Sequence, residues 1–509
     1  MAGETHLNTR NPRILIVTPE ITYLPRQMGT MAGHIRAKVG GLADVSASLV
    51  AALFELGADV HVALPHYRRM FHVDVGRLIN HELRIYKSIL PNSRLHLAQD
   101  RVFYYRDEVY SPYHVESHQV ALAFQREVIN NIIPRVNPDL IHCNDWMTGL
   151  IPAMARRVGI PSLFTIHNIH THELTLADIE NSGIDAAEFW PNLYFKRVPA
   201  SYEESRSSNQ VDLLASGIFG AHFVNTVSPT FLKEICMGWH DFVPHHVRQE
   251  LIHKLQANCA FGILNAPDPL FNPSTDPLIE RKFTAENHTE GKRANKRELQ
   301  ERLGLIEDVS APLLFWPSRL DPIQKGPQLL TDILYNIISD YWSDNLQLVI
   351  VANGPYQEPF HNIVKFHDFH RRVAVCDFEE EMSHLGYAGS DFILMPSRFE
   401  PCGLPQMISA MYGSLPIAYD TGGLHDTVTN LDVETDSGNG FLFEVHDSQG
   451  LRWAIDQAMI FYKMDARVKE RQISRIMSES AINFSHTVTA RKYFDLYEKM
   501  LRRPLVAPF

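Results

Sequence analysis

Short apolar runs alternate with segments of helical periodicity along most of this chain. Apolar side chains recur at helical spacing from Gly41 to Leu56, and Gly57 predicts the end of that helix. Strands that alternate with helices favour a parallel sheet covered by helices on both faces, so the first half is predicted to be a doubly wound α/β domain. The strands predicted there are Arg13–Thr18, Val60–Leu64, Leu140–Cys143, Ser162–Ile166 and His222–Thr226.

A second alternating set follows a break in this pattern. Two prolines in residues 265–269 (NAPDP) disfavour regular structure on either side and mark a linker. The pattern predicts two doubly wound domains, residues 1–264 and 265–486, followed by a last segment, residues 487–509, that contains an amphipathic helix ending at Leu501. The strands predicted in the second domain are Leu313–Pro317, Leu346–Ala352, Val373–Cys376, Asp391–Met395 and Leu415–Tyr419.

Composition and charge narrow the class of protein. Lysine and arginine number 47 against 59 acidic residues, a net charge of −12, which disfavours a nucleic-acid partner. No run is long and apolar enough to span a membrane, and the polar start of the chain lacks a signal core, so a cytoplasmic protein without a membrane partner is expected. The five cysteines show no paired spacing, which fits a reducing compartment and argues against structural zinc. Oligomeric state is left open.

Glycine-rich turns follow several of the predicted strands. Residues 396–404 (PSRFEPCGL) carry Glu400 and then open a helix through a glycine, and similar turns occur at residues 421–426 (TGGLHD) and 38–45 (KVGGLADV). A helix start offers unpaired N–H groups and a partial positive charge, so Cys402–Pro405 suits a phosphate while Glu400 can accept hydrogen bonds from sugar hydroxyls. Phosphate and sugar together suggest a nucleotide sugar.

The basic residues in these turns matter more than the total charge. An acidic protein that binds an anionic nucleotide must concentrate positive charge locally, and Lys38, Arg319 and Lys325 are placed to do so. A guanidinium fork and an ammonium group can neutralise a departing phosphate. The alternative for each is a surface cation without a ligand.

The motifs together resemble those of one enzyme family. KxGGLxDV at residues 38–45 and SRFEPCGL at residues 397–404 are intact, and TIHN at residues 165–168 and TVSP at residues 226–229 lie between them in order. The chain resembles bacterial glycogen synthases and plant starch synthases. The resemblance implies transfer of glucose from ADP-glucose to the non-reducing end of an α-1,4-glucan, with retention of configuration and without a cofactor or metal.

The same resemblance implies a fold and a set of site residues. The fold is two Rossmann-like domains facing across a cleft, the glycosyltransferase-B type, with the last helix returning to the first domain. The catalytic set is His167, Arg319, Lys325 and Glu400. The donor-binding set is Lys38, Gly40, Gly41, Asp44, Phe378, Cys402, Gly403, Leu404, Thr421, Gly422 and Gly423. The acceptor-binding set is Asp145, Trp146 and Asn168.

Several of these roles have structural alternatives. His167 is expected to hold the glucosyl group rather than to titrate as a base. Trp146 suits stacking on a sugar, but a buried tryptophan is the alternative. Phe378 stands where the family often has a tyrosine against adenine, and a core phenylalanine is the alternative. His170 and His172 suggest a metal site by composition, although the family's reaction needs none.

The chain departs from the family pattern in a few places. Five residues lie between Arg319 and Lys325 where the family usually has four, so a looped-out turn is needed if both cations are to converge. The insert Thr22–Ala37 is expected to form a lid or acceptor loop. The lysine of the family's FLKxG motif is missing, with residues 214–217 (LASG) in its place, whereas Ile408, where many relatives carry a second glutamate, favours the glycogen and starch synthase branch.

These departures keep other functions open. The alternatives are a catalytically weak glucan-binding or regulatory homologue, and a retaining glucosyltransferase with a different acceptor. The choice between ADP and UDP in the donor, and the length of the acceptor, also remain open.

Overall fold

The structure of the chain is a computed structural model that describes residues 10–28, 32, 35, 37–38, 41–67, 70, 94–110 and 113–506. It divides into two compact units. Unit 1 takes the described residues up to Val227, then Leu232–Asn265 and the described residues from Thr489 onward, whereas unit 2 takes Ser228–Phe231 and Ala266–Val488. The sequence predicted the main boundary between residues 264 and 265, and the structure has it one residue later, between Asn265 and Ala266.

Unit 1 is built on a seven-stranded sheet whose neighbouring strands are all parallel. Its order is β3-β2-β1-β4-β5-β8-β9, and a separate antiparallel pair is formed by β6 and β7. The order is that of a doubly wound sheet, because the chain moves outward in one direction, returns to the centre and moves outward in the other. The strands are β1 (Arg13–Val17), β2 (Asp59–Pro65), β3 (Leu95–Ala98), β4 (Leu140–Asn144), β5 (Ser162–Ile166), β6 (Glu173–Thr175), β7 (Gln210–Asp212), β8 (Phe223–Thr226) and β9 (Ala260–Gly262).

Helices connect these strands. The first begins at Gly41 and ends at Glu55, one residue short of the prediction, and Gly57 follows it with a positive φ of 84°. The α-helices are Gly41–Glu55, Arg101–Tyr104, His114–Glu127, Ile133–Val136, Ile151–Arg157, Leu176–Asn181, Tyr202–Ser208, Leu213–Gly220, Pro229–Met237, His245–Gln256 and His486–Leu501. A π-helix spans Val128–Ile132, and 3-10 helices span Arg26–Met28, Trp146–Thr148, Ala186–Glu188 and Trp190–Asn192.

Unit 2 repeats the design with a six-stranded parallel sheet of order β12-β11-β10-β13-β14-β15. The predicted fold class of two doubly wound α/β domains is therefore confirmed. The strands are β10 (Leu313–Trp316), β11 (Gln347–Val351), β12 (Val373–Cys376), β13 (Phe392–Met395), β14 (Leu415–Tyr419) and β15 (Phe441–Phe443). The helices are His288–Arg302, Pro327–Asp340, Gln357–His367, Glu380–Gly389, Pro405–Met411, Gly422–Thr427, Ser448–Tyr462 and Ala466–Asn483, with a 3-10 helix at Trp342–Asp344.

The sheet of unit 2 is buried on both faces. Leu314 and Trp316 of β10 point into one apolar cluster, whereas Phe315 between them points into the other. Successive side chains of a strand lie on opposite faces, so a parallel sheet covered by helices on both sides needs continuous apolar runs. This requirement explains why continuous apolar runs predicted the strands of unit 2 from the sequence.

The helix His486–Leu501 starts in unit 2 and belongs to unit 1 from Thr489 onward. In unit 1 the hydroxyl of Tyr497 is 2.7 Å from Nδ1 of His142, and the hydroxyl of Tyr493 accepts a hydrogen bond of 2.9 Å from Asn225. Both strand residues are fully buried, and burial lowers the pKa of His142 to about 3. The two tyrosines therefore satisfy polar groups in the middle of the sheet, where an unpaired group would be costly.

Within the described residues, no helix combines the length and the apolar character needed to cross a membrane.

Candidate functional site

The clearest polar cluster of unit 2 lies where β10 and β13 end. Glu400 is 5% exposed, and its Oε2 accepts hydrogen bonds from Lys325 Nζ at 2.5 Å and from Ser397 Oγ at 3.1 Å. Strands β10 and β13 are neighbours in the sheet, so the loops that follow them meet at its carboxyl edge. Lys325 and Glu400, both predicted to be catalytic, are thus brought together, and Ser397 is a partner that the sequence did not indicate.

The loop before Lys325 accommodates its extra residue by bulging outward. The Lys325 N–H donates to the Asp321 carbonyl at 2.8 Å, and the Ile323 N–H donates to the Asp321 carboxylate at 2.9 Å. Ile323 is 71% exposed at the tip of this turn. Gly326 ends the loop with φ of 70°, and a Cβ there would collide with the Pro396 carbonyl. The turn around Ile323 is looped out as expected, and Lys325 still reaches Glu400.

Arg319 behaves differently from Lys325. Its side chain is exposed, and no ion pair or hydrogen bond of that side chain is found within the described part of the chain. The loop therefore brings one of the two predicted cations to Glu400 and leaves the other facing solvent, with its charge available to an anion.

The glycine-rich turn after β14 packs directly against the Glu400 loop. The Gly423 N–H donates to the Glu400 carbonyl at 2.9 Å. A Cβ on Gly422 would collide with that same carbonyl, and a Cβ on Gly423 would collide with the carbonyl of Cys402. The turn that contains these glycines and the buried Thr421 thus packs against the backbone of the Glu400 loop. The Gly423 N–H is therefore used within the protein, and the donor-binding role predicted for this glycine stays a prediction.

The N–H groups of Gly403 and Leu404 are oriented differently. Gln406 Nε2 donates to the carbonyls of Cys402 and Gly403, each at 3.0 Å. Because C=O and N–H of a trans peptide point in opposite directions, the N–H groups of Gly403 and Leu404 point away from Gln406. No internal acceptor for these two groups is found among the described residues. They are the donors that this helix start offers to an anion.

Phe378 follows β12 at the same edge of the sheet. Its side chain is 56% exposed, and its N–H donates to Asn353 Oδ1 at 2.9 Å. The alternative of a core phenylalanine is therefore wrong, because most of the ring faces solvent.

In unit 1, polar side chains gather where β4 and β5 end. The His167 N–H donates to Asp145 Oδ1 at 2.7 Å, and His167 Nε2 is 3.0 Å from Asn144 Oδ1. Asn144 Nδ2 donates to the Val17 carbonyl, so its oxygen faces His167 and Nε2 of the ring carries the proton. Burial lowers the pKa of His167 to about 3. The ring is therefore neutral at physiological pH, as a holding role requires.

Asp145 is strained and buried. It has φ of 57° without being glycine, and it is 3% exposed. Burial raises the pKa of Asp145 to about 7, although hydrogen bonds from the His167 and Asn168 backbone act in the opposite direction. Asn168 Nδ2 also donates to Asp145 Oδ2 at 3.2 Å. Two residues predicted for the acceptor, Asp145 and Asn168, thus contact each other and the catalytic candidate His167.

Trp146, the third residue predicted for the acceptor, is buried. Its side chain is 3% exposed, and its ring packs against His172 at 4.2 Å and His170 at 5.8 Å between centroids. The prediction of an exposed stacking platform is wrong, because these histidines cover the indole, and the alternative of a buried tryptophan holds. His118, which the sequence did not single out, is 2.9 Å from His172. Among the described residues no group of three or more potential ligands is arranged to hold a metal ion.

The first glycine-rich turn of unit 1 carries an ion pair. Lys38 Nζ is 3.0 Å from Asp44 Oδ2, and Thr22 Oγ1 donates to Asp44 Oδ1 at 2.5 Å. Lys38 is exposed and Asp44 is buried, whereas Gly41 is exposed at the start of its helix. Gly40 lies outside the described residues.

The insert Thr22–Ala37 is described only in part. Ile21 and Ala37 at its base exchange two backbone hydrogen bonds of 3.0 and 2.9 Å. The residues of the insert that the structure describes do not test its role as a lid.

Comparisons with known proteins agree with this arrangement. A family model of the starch synthase catalytic domain matches residues 13–246, and a model of glycosyl transferases group 1 matches residues 305–475. The glycogen synthase of Bacillus subtilis is 30% identical over 91% of this chain and 96% of its own length. The glycogen synthase of Thermotoga maritima is 32% identical over 92% of this chain and 97% of its own length.

Solved structures agree as well. The catalytic domain of starch synthase IV from Arabidopsis thaliana, which was solved with ADP and acarbose bound, has a TM-score of 0.77 at 26% identity and covers 97% of this chain and 100% of its own. Sucrose-phosphate synthase from Thermosynechococcus elongatus has a TM-score of 0.57 at 16% identity over 96% and 99% of the two chains, which shows a shared fold.

Two doubly wound units with polar groups at the carboxyl edges of both sheets define a two-domain glycosyltransferase. The chain belongs to the glycogen synthase and starch synthase family, a family of retaining glucosyltransferases.

Proposed function

We propose that this protein transfers glucose from ADP-glucose to the non-reducing end of an α-1,4-glucan, with retention of configuration. The observation that carries the proposal is the Lys325–Glu400 pair, because Glu400 lies in the same loop as the outward N–H groups of Gly403 and Leu404. The relatives named glycogen synthase support the polymer, and the starch synthase structure bound to ADP supports the nucleotide.

The proposed role of unit 2 is to hold the donor's diphosphate. An ammonium group has three N–H donors, and only one of those on Lys325 is needed for Glu400 at 2.5 Å. The other donors, together with the exposed guanidinium of Arg319, supply positive charge to a departing phosphate. Because side chains supply this charge, we propose that the transfer needs no metal or other cofactor.

The proposed role of the polar groups of unit 1 is to hold neutral sugar hydroxyls. His167, Asn144 and Asn168 are uncharged hydrogen-bonding groups, and Asp145 is buried against them. A neutral His167 can donate or accept hydrogen bonds without titrating. It therefore orients the glucosyl group rather than acting as the general base.

One observation favours the alternative of a weak, glucan-binding homologue. Ala215 stands where the family's FLKxG motif has its lysine, and in this structure it is fully buried in the helix Leu213–Gly220. A cation that the family places there has no counterpart at this position. Binding of glycogen without transfer would identify the protein as such a homologue.

The test is incubation of the purified protein with glycogen and radiolabelled ADP-glucose or UDP-glucose, followed by counting of the precipitated polymer. We expect incorporation from ADP-glucose, undiminished by EDTA, and release of the label by an enzyme that cleaves α-1,4 bonds. The Glu400→Gln variant is the matched control, because it keeps the shape of the side chain and removes its charge. Incorporation from neither donor would refute the proposed transfer. Loss of incorporation in EDTA would refute the proposal that the transfer needs no metal.

A further inference from the structure

A cluster of aromatic side chains lies on the surface of unit 2. We call it the aromatic patch, and it consists of Tyr335, Trp342, Phe366, His367 and Phe369. Phe366 is 83% exposed, and Tyr335 and Trp342 are each 50% exposed, whereas Phe369 is 4% exposed and forms the floor. Contiguous apolar patches of a few hundred Å² on a protein surface are often functional, so exposed side chains this close together point to a binding site.

The rings form one continuous run. His367 lies 4.8 Å from Phe366 and 4.4 Å from Tyr335 between centroids, and Phe369 lies 6.2 Å from Tyr335 and 6.3 Å from Trp342. These separations are typical of aromatic pairs that stabilise each other. The rings are therefore held in place by one another although their outer faces are open to solvent.

The backbone beneath the patch is also held. Asp368 ends the helix Gln357–His367 in the left-handed conformation, and the Phe369 N–H donates to the Val364 carbonyl at 2.9 Å. The guanidinium carbon of Arg372, which is 4% exposed, lies 4.1 Å from the Trp342 ring. A surface that is already ordered binds a ligand at a lower entropic cost.

The aromatic patch is separate from the proposed donor site. Trp342 lies five residues before the start of β11 and Phe369 four residues before the start of β12, so the patch lies at the amino edge of the sheet. Lys325, Glu400 and Phe378 follow strands and lie at the carboxyl edge. Strands of four or five residues place the two edges about 13–16 Å apart.

We propose that the aromatic patch binds a chain of α-1,4-linked glucose, and thereby holds the polymer acceptor on the protein away from the donor site. The inference rests on the proposed function for the identity of the polymer. One face of a glucose ring presents C–H groups that pack on aromatic rings, and its rim presents hydroxyls. Aromatic side chains with polar groups beside them, such as the hydroxyl of Tyr335 and the imidazole of His367, match both features.

The size and charge of the patch favour a thin neutral ligand over a second protein. Three aromatic side chains at these exposures offer on the order of 300–400 Å², whereas a stable protein interface needs about 800 Å² from each partner. Exposed charges of both signs flank the patch, namely Lys365 and Arg371 against Asp340 and Asp368. Balanced charges do not select an anionic or a cationic partner, but they do not oppose a neutral glucan.

The test compares the Trp342→Ala, Phe366→Ala double variant with wild type in native gels that contain glycogen. The matched control is Trp453→Ala, because Trp453 is also 50% exposed in unit 2 but lies on the helix Ser448–Tyr462, outside the patch. We expect about tenfold weaker binding of glycogen by the double variant. We also expect the ratio of transfer to glycogen over transfer to maltotriose to fall by a similar factor. The Trp453→Ala control should match wild type in glycogen binding and in this ratio.

Other outcomes decide against the inference. Equal retardation of the double variant and Trp453→Ala, or no retardation of wild type, would overturn it, as would a dimer in sedimentation that only the double variant loses. If the double variant melts earlier than wild type, the single variant Phe366→Ala carries the test, because that side chain is the most exposed. Failure of the proposed function is distinguishable, since it removes transfer to both acceptors and leaves the gel result unchanged.

Discussion

The carboxyl edges of the two sheets carry opposite kinds of polar groups, although six strands follow the same order in both sheets. Beyond β4 and β5 of unit 1, His167 and Asp145 are held by short hydrogen bonds in a desolvated setting that favours their neutral forms. Beyond β10 and β13 of unit 2, Lys325 and Glu400 form an ion pair, and Arg319 is an exposed cation. One edge suits neutral hydroxyls, and the other suits phosphate.

This difference shows that the fold provides the location of a site but not its electrostatics. The same doubly wound sheet delivers loops to one edge in both units. In unit 1 the loop after β4 is strained and buried, so desolvation favours uncharged groups. In unit 2 the loop before Lys325 bulges outward. The charged groups there either form an ion pair, as Lys325 and Glu400 do, or stay exposed to solvent, as Arg319 does.

The largest effect is expected from removing the cation of the ion pair. Lys325→Ala should lower turnover by about 10²–10³-fold, equivalent to about 3–4 kcal/mol, because a charged partner of the departing phosphate is lost. Lys282→Ala is the matched control, an exposed lysine of the same unit that lies outside the site. Steady-state kinetics with ADP-glucose measure the effect, and a loss of less than about threefold would mean that unit 2 does not supply this charge.

The next effect concerns the stability of unit 1 as pH changes. The pKa of Asp145 is raised to about 7 in the folded chain. Its contribution to the free energy of unfolding is therefore most favourable at acidic pH and is lost as the pH rises toward 7. Asp145→Asn removes this loss and should raise the free energy of unfolding, relative to wild type, by roughly 2–4 kcal/mol at pH 8. Urea unfolding at pH 8 and at pH 5 measures the difference, which should shrink at the lower pH. A difference that is constant with pH would contradict a raised pKa.

A smaller effect is expected from His167. His167→Ala should lower turnover by about 10–100-fold while the Kd for ADP changes by less than about twofold, because the side chain is proposed to hold the sugar and not the nucleotide. Since the pKa of His167 is lowered to about 3, the rate of wild type should show no inflection from this group between pH 6 and 9. Weaker ADP binding in the variant would place His167 at the nucleotide instead.

The smallest effect is expected inside the sheets. Tyr497→Phe removes the hydroxyl that lies 2.7 Å from the buried His142 and should destabilise the chain by about 1–2 kcal/mol. Tyr387→Phe in unit 2 is the control, since Tyr387 is also buried but packs on Phe315 in an apolar core. Thermal unfolding of both variants measures the contrast. Equal melting temperatures would show that polar groups in unit 1 need no partner from the last helix.

The parts of the fold that the sequence predicted are those with strong local signals. Long apolar runs located the central strands within one or two residues, as for β14, whose predicted and observed bounds agree. The outer strands β3, β9 and β15 went unpredicted because they have only three or four residues each, too few to show a clear periodicity. Their pairing comes from the neighbouring strand, which a local pattern does not contain.

The candidate site shows the same limit. Motifs indicated Asp44 and Glu400, but the partner Thr22 of Asp44 and the partner Ser397 of Glu400 depend on how irregular loops fold. The family resemblance predicted Trp146 as an acceptor residue, since an aromatic ring suits stacking on a sugar. It is buried among neighbours that include His172, which lies 26 positions further along the chain, and no local pattern carries that information.

The position of the last helix in the chain has a consequence for biosynthesis. Tyr493 and Tyr497 complete the interior of unit 1, yet they are translated after every residue of unit 2. A ribosome therefore releases the strands of unit 1 long before it releases the groups that pair with His142 and Asn225. Domains usually fold in the order of their synthesis. Here the first unit to emerge is the last to be finished, and a fragment that ends at residue 265 would leave those buried groups unsatisfied.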